Sequence, residues 1–221
     1  MRAELPPRVG FRSTWPLVGG VFTISAALIG VVLLLHFWKD IPFGTLTGDP
    51  AAIGGDPLYT GFLSQVGLFF WSAAAAVSLF SAAVLSPHPD AVELRRFLLA
   101  SGLLTLVLGL DDAFLLHEGL FPYFGVPEIL VYATYAGAVL FYLTRFASTI
   151  RRTEYVLLGT ALLFCGSSLA LDLLEPPGID RFLLEDGAKL VGIVSWLAYL
   201  ASVAAAAVQH GAARQAAIPH A

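Results

Sequence analysis

The stretch Leu103-Leu104-Thr105-Leu106-Val107-Leu108-Gly109-Leu110-Asp111-Asp112-Ala113-Phe114-Leu115-Leu116-His117-Glu118 sets two adjacent carboxylates inside an apolar run, with an imidazole and a third carboxylate close behind. An ionisable group at bilayer depth costs at least about 2.5–3.5 kcal/mol on translocon scales, so such groups turn toward a polar cavity, a partner or a reaction. The run therefore reads as a membrane span that carries a polar site.

Composition supports the membrane reading. The 221 residues are 57% hydrophobic and 13% charged, with a mean hydropathy of +0.80, against about 25% charged residues in soluble domains. Crossing a hydrocarbon core of about 30 Å takes about 20 apolar residues, and six segments qualify, at about 15–38, 59–85, 96–121, 128–147, 155–174 and 182–209. Lipid leaves backbone polar groups no outside partner, which predicts an all-α, polytopic integral membrane bundle of six transmembrane helices. Residues 1–14 precede it, and a tail at 210–221 is expected to be disordered. The first span has a longer apolar core than the roughly 7–15 residues of a cleaved signal and reads as a retained anchor. The one cysteine, Cys165, excludes an intramolecular disulfide and is read as a packing residue.

Charge sets the expected orientation. Arg2, Arg8, Arg12, Arg95, Arg96, Arg145, Arg151, Arg152 and Arg214, nine of the twelve basic residues, fall on one side of the six-span arrangement. The positive-inside rule then puts the N and C termini in the cytoplasm, in the plasma (inner) membrane of a bacterium. These arginines are explained by insertion and imply no nucleic acid. The acids run the other way: only Glu4, Asp90, Glu93 and Glu154 are cytoplasmic, and the other twelve of sixteen lie in outer loops or in the outer and middle parts of spans. Acids barely influence insertion, so this bias asks for another cause.

Asp111 is expected near the midplane, with His117 and Glu118 close to the outer interface. Asp172 lies about a turn below the outer end of span five, with Glu175 at that end before Pro176-Pro177-Gly178. Glu185, Asp186 and Lys189 open span six. At helical spacing Asp111 and Glu118, seven apart, share a stripe, while Asp112 and His117 point elsewhere. Ser168, Asp172 and Glu175 follow i, i+4, i+7, and Lys189 is within reach of Glu185 and Asp186 on its own helix. Tyr132 and Tyr135, one turn apart, either line the same cavity or anchor the interface.

Asp111, Glu118, Asp172, Glu185 and Lys189 are thus candidate catalytic residues. His36 and His117, with Asp111 and Asp172, are candidate ligands for a divalent metal such as zinc, because imidazole and carboxylate suit that ion. The loop at 39–58, with Asp49-Pro50, Asp56-Pro57 and several glycines, is expected to be irregular.

Glu185-Asp186-x-x-Lys189 resembles the Glu-Glu-x-x-Lys signature of intramembrane glutamic proteases of the CAAX-protease-like group, in which acidic residues activate water. The match covers five residues, with Asp in the second place, and falls in the last helix, where the family's downstream histidine-bearing spans have no counterpart. Alkaline ceramidase-like hydrolases, which hold zinc with Ser, Asp and His in a helical bundle, are a second comparison, and their paired late histidines are absent from this sequence. The chain is assigned to neither. Three function classes remain: a membrane-embedded hydrolase acting on a lipid or peptide, with or without metal; a proton- or cation-coupled transporter or channel; and a non-catalytic accessory subunit. Membrane lipids are the expected surroundings in each. Below Asp111 the polar residues are few, chiefly Ser101, Thr105, Thr160 and Ser195, which favours a one-sided site over a conduit.

Overall fold

The computed structural model describes residues 15–57, 59–85, 89–174 and 181–216, with the side chains of 15–17, 89–90, 181–182 and 210–216 outside that description. Glu175 and residues 1–14 and 217–221 lie outside the described residues. The described residues are helices and turns, without strands. The chain divides into two units, residues 1–60 and 61–221.

The first unit holds α1 (Trp15–Lys39), α2 (Phe43–Thr47) and α3 (Pro50–Gly54). Its segment Val18–Lys39 has a mean hydropathy of 2.5 over its most apolar window, none of which is buried in the protein. A helix apolar on every side is suited to lipid. Its end is fixed by His36, whose Nδ1 lies 2.8 Å from the Ile41 carbonyl oxygen and whose ring stacks on Phe43 at 3.8 Å between centroids. The loop beyond, expected to be irregular, contains two short helices. Asp49 caps α3 by accepting from the Ala52 N–H at 3.0 Å, and Pro50, whose missing N–H costs nothing in a first turn, starts it.

The second unit runs through α4 (Phe62–Val84), α5 (Pro89–Phe114), a π-helical turn (Leu116–Leu120), α6 (Phe121–Tyr123), α7 (Glu128–Arg145), α8 (Ala147–Ile150), α9 (Tyr155–Leu174) and α10 (Arg181–Ala216). The largest interfaces are α9 with α10, α4 with α5, and α4 with α10, so α10 is the hub. Small residues allow these approaches. A Cβ on Gly192 of α10 would collide with Cys165 Sγ and come within 2.9 Å of the Cys165 backbone nitrogen on α9. One on Gly102 of α5 would sit 2.6 Å from Leu79 Cγ and 3.2 Å from its backbone nitrogen on α4. Cys165 is accordingly a packing residue.

The core fills the half of this unit where α5, α7 and α9 meet the later turns of α10. Phe97, Leu98, Ile193, Tyr199 and Leu200 are fully buried there with Trp196 beside them. Phe97 stacks on Tyr142 at 5.7 Å and meets Phe146 edge-on at 5.5 Å. Two polar pairs lie inside it: Trp196 Nε1–H donates to Thr105 Oγ1 at 2.8 Å, and the Ser101 and Tyr142 hydroxyls share a bond of 2.8 Å.

Among the described residues five helical segments are long and apolar enough to cross a membrane: Val18–Lys39, Phe62–Val84, Ala91–Phe114, Tyr155–Leu174 and Leu183–Gln209. The expected fourth span corresponds to α7, whose 18 residues begin and end on charges, Glu128 and Arg145. Its main attachments to the bundle are side chains rather than close backbone contact. Tyr135 reaches Asp111 near one end of α5, Tyr142 reaches Ser101, and Arg145 pairs with Glu93 near the other end at 2.6 Å. These ties hold α7 antiparallel to α5 over most of the length of both.

Overpacking a close helix contact costs about 1–3 kcal/mol. Gly192→Val is therefore expected to lower the thermal midpoint in detergent clearly, whereas Gly159→Val on α9, where a Cβ meets nothing within 4 Å, leaves it near the wild-type value. Equal midpoints for the two variants would contradict the α9–α10 contact.

Candidate functional site

The expected third span is interrupted. Leu115, with φ 48° and ψ 47°, adopts the left-handed conformation, and a π-helical turn follows. For a bulky residue this conformation costs about 1–2 kcal/mol, and the return is visible in the next two residues. The chain folds back so that the His117 backbone N–H donates to Asp111 Oδ1 at 3.0 Å while His117 Nδ1 lies 2.5 Å from Asp111 Oδ2. Both oxygens of one carboxylate thus bind a residue six positions later, which a continuous α-helix does not permit.

The seven-residue spacing of Asp111 and Glu118 is consequently not a helical stripe, and the expectation that His117 diverges from both is corrected. His117 stands between them, its Nε2 3.1 Å from Glu118 Oε1. Asp111 and His117 are buried, at 7% and 8% exposure, whereas the Glu118 side chain is 54% exposed. Tyr135 of α7 completes the carboxylate's partners by donating to Asp111 Oδ1 at 2.8 Å. Hydrogen bonds to a charged group contribute about 1.5–3 kcal/mol each. Three of them together exceed the roughly 2.5–3.5 kcal/mol that such a group costs in a membrane span, although Asp111 lies in the last turn of the apolar segment Ala91–Phe114 and not at the midpoint expected from the sequence.

Asp172 of α9 joins the edge of this centre. It accepts from the Tyr132 hydroxyl at 2.9 Å, and the Tyr132 ring lies 5.0 Å from the His117 ring. Tyr132 and Tyr135 therefore face the carboxylates. The informative sequence signal is the set Tyr132, Tyr135 and Tyr142, spaced so that three hydroxyls face the bundle from one helix.

Asp112 turns to α10 instead, where its Oδ1 pairs with Lys189 Nζ. Lys189 had been expected to neutralise Glu185 or Asp186 on its own helix. Its ion pair is with Asp112, because a carboxylate with a side chain 7% exposed draws the cation across the helix interface. Glu185 and Asp186 sit half-buried one turn earlier on α10. Thus Asp111 and Glu118 flank His117 and Asp172 is linked to it through Tyr132, while Lys189 and Asp186 lie with Asp112.

His36 is in the first unit, where its ring is engaged with Ile41 and Phe43. Among the described residues no group of three or more His, Cys, Asp and Glu side chains is placed to hold a metal ion. The contacts at the centre allow a proton to be held on His117. Both nitrogens of His117 face carboxylate oxygens, and an imidazolium donates to both, while a neutral ring donates to one and offers a lone pair at the other.

Removing one member of a buried pair is strongly destabilising, by about 3–5 kcal/mol, because it strands the other charge. Lys189→Met is expected to lower stability in detergent toward the smaller end of that range, since the lysine side chain is 36% exposed. The double variant Asp112→Asn/Lys189→Met is expected to recover most of the loss. Failure of Asp112→Asn to rescue Lys189→Met, measured by thermal unfolding, would show that the two residues are not coupled.

No curated protein and no solved structure matches the chain. A family model described as "Domain of unknown function (DUF8692)" matches residues 21–203, which include His36, Asp111, Asp112, His117, Glu118, Asp172, Glu185 and Lys189, and the chain belongs to that family.

Proposed function

We propose that the protein crosses the bilayer six times, with α7 as a sixth span beside the five apolar helices, and that His117 is the base of a hydrolase acting on a lipid or peptide. The observation that carries this reading is the seating of one imidazole between a buried carboxylate on Nδ1 and a half-exposed carboxylate on Nε2. An orienting acid on one nitrogen fixes the tautomer and stabilises the protonated ring, the arrangement by which histidine acts as a general base. The ties of α7 to both ends of α5 support the sixth crossing. The arginines at the opposite end of the second unit from His117 orient it with the termini cytoplasmic and the site toward the outer half.

In this reading, separation of Glu118 from Nε2 admits water. His117 removes its proton as the oxygen attacks an ester or amide carbon, and the same proton passes to the leaving oxygen or nitrogen. Asp111 and Tyr135 are positioning residues: the carboxylate holds the ring, and the tyrosine holds the carboxylate. Glu118, at the rim, exchanges protons with the aqueous side. An apolar substrate and water meet naturally at such a depth. The packing beneath favours a one-sided reaction over transport. Ser101 and Thr105 donate to backbone carbonyls in their own helix at 2.7 Å each, Thr160 and Ser195 do so at 3.0 and 2.8 Å, and the aromatic core lies below.

The test is hydrolysis of a panel of ester- and amide-linked lipids and membrane peptides by purified protein in mixed micelles, in water enriched in heavy oxygen. Label is expected in the new carboxyl group, and both Asp111→Asn and His117→Gln are expected to reduce the rate at least about 100-fold while still inserting into membranes. Undiminished turnover by His117→Gln would refute the assignment. So would an inert panel accompanied by proton flux into liposomes that Asp111→Asn abolishes, the outcome expected of a carrier.

A further inference from the structure

The two ends of α7 are held by unlike means. At the end nearer Arg145, Tyr142, Phe146 and Ile150 are buried in the main core with Leu143 packed against it, and the Tyr142 ring lies 5.7 Å from Phe97 and 6.1 Å from Trp196. At the end nearer Glu128 the buried residue is Val131, supplemented by two hydroxyl hydrogen bonds, Tyr132 to Asp172 on α9 and Tyr135 to Asp111 on α5. Between these ends the helix stands off. From Tyr132 to Phe141 no described residue is buried, and a Cβ on Gly137 would meet nothing within 4 Å. The main backbone approaches of α7 are to α5, the π-helical turn, α6 and α8. The chain enters it through Gly125, at φ 80°, and Pro127, a corner that a residue without a side chain takes freely.

We propose that α7 is a lateral gate: its Glu128 end swings away from α5 and α9 about a pivot at Tyr142 and Phe146, and admits one lipid from the bilayer to His117. The latch is the pair of tyrosine hydroxyls. A hydrogen bond of this kind exchanges for another donor, whereas moving the opposite end would strip packed aromatic rings of their neighbours. The entrance selects the class of substrate. Ile129 and Leu130 on α7 and Leu173 and Leu174 on α9, all at least half exposed, flank the Tyr132–Asp172 bond from both helices. An opening there leads into hydrocarbon, so an acyl chain enters and a soluble peptide does not. Opening also withdraws the Tyr132 ring, which lies 5.0 Å from the His117 ring when the gate is shut. Cleavage of the lipid rests on the hydrolase reading of His117, and the motion of α7 does not.

The experiment is pulsed electron spin resonance on the full chain in nanodiscs, in a Cys165→Ala background, with one spin-label pair at Leu130 and Phe69 across the gate end and another at Leu140 and Phe80 near the pivot, all exposed positions. The longer Leu130–Phe69 distance is expected as a minor population of about 0.1–10% without further change. Tyr132→Phe/Tyr135→Phe, which keeps both rings, is expected to make it the major one and to leave Leu140–Phe80 unchanged. Tyr132→Phe alone leaves Asp111 its three donors; it is expected to give an intermediate share, and it decides the matter if the double variant fails to fold. In parallel, phosphatidylcholine with a diazirine on its acyl chain is expected to photolabel residues 131–135 several-fold more in the double variant than in wild type. An unchanged Leu130–Phe69 distribution in these variants, or equal shifts of the two pairs, would overturn the gate. A longer distance without added lipid labelling would overturn lipid entry. Neither readout requires turnover, so an inert substrate panel refutes the hydrolase and leaves the gate standing.

Discussion

A buried carboxylate must be answered by donors, and the Asp111 carboxylate organises its end of the second unit around that requirement. It takes three hydrogen bonds from two directions: the backbone and ring of His117 beyond a break in its own helix, and the hydroxyl of Tyr135 on another. Each contact also does structural work. The first stabilises a left-handed leucine and the π-helical turn after it. The second ties α7, a helix of 18 residues with little backbone contact to its neighbours, to α5. Without those donors the charge is isolated and the break at Leu115 loses its compensation.

The two adjacent aspartates divide these tasks because successive residues on a helix point about 100° apart. Asp111 faces α7 and the turn, while Asp112 faces α10 and takes Lys189. One carboxylate is saturated by neutral and imidazole donors beside a half-exposed rim. The other is half-saturated by a cation and keeps an oxygen in reserve. The first environment sets an imidazole between two carboxylates, and the second sets a carboxylate against an ammonium. Between this polar end and the arginines lies an aromatic core in which the hydroxyls of Ser101, Thr105 and Tyr142 all have protein partners.

Much of this is legible in the residues, and the rest is hidden for identifiable reasons. Apolar length and the absence of open backbone in lipid specify helices near 15–38, 59–85, 155–174 and 182–209, and helices lie there. The helix expected over 96–121 is broken because a leucine with positive φ carries no sequence signature; the usual marker, glycine, is absent from that position. Counting residues along an unbroken helix therefore put Asp111 and Glu118 on one stripe and His117 on another, whereas the break brings all three together. Spacing offers Lys189 its near neighbours Glu185 and Asp186; its ion pair with Asp112, 77 positions earlier in sequence, is added by the packing of α5, α4 and α10. The tyrosines of α7 were ambiguous because an aromatic ring with a hydroxyl suits an interface and a cavity equally well.

The central claim is that the Asp111 carboxylate holds the His117 ring. It is tested most directly by proton and nitrogen NMR of protein labelled at histidine in detergent or nanodiscs, with the His117 signals assigned by their absence from His117→Gln. The account predicts a strongly downfield ring N–H proton on Nδ1 of His117, as expected for a hydrogen bond of 2.5 Å, that disappears in Asp111→Asn while the other histidine signals stay in place. A His117 spectrum identical in wild type and Asp111→Asn would contradict it.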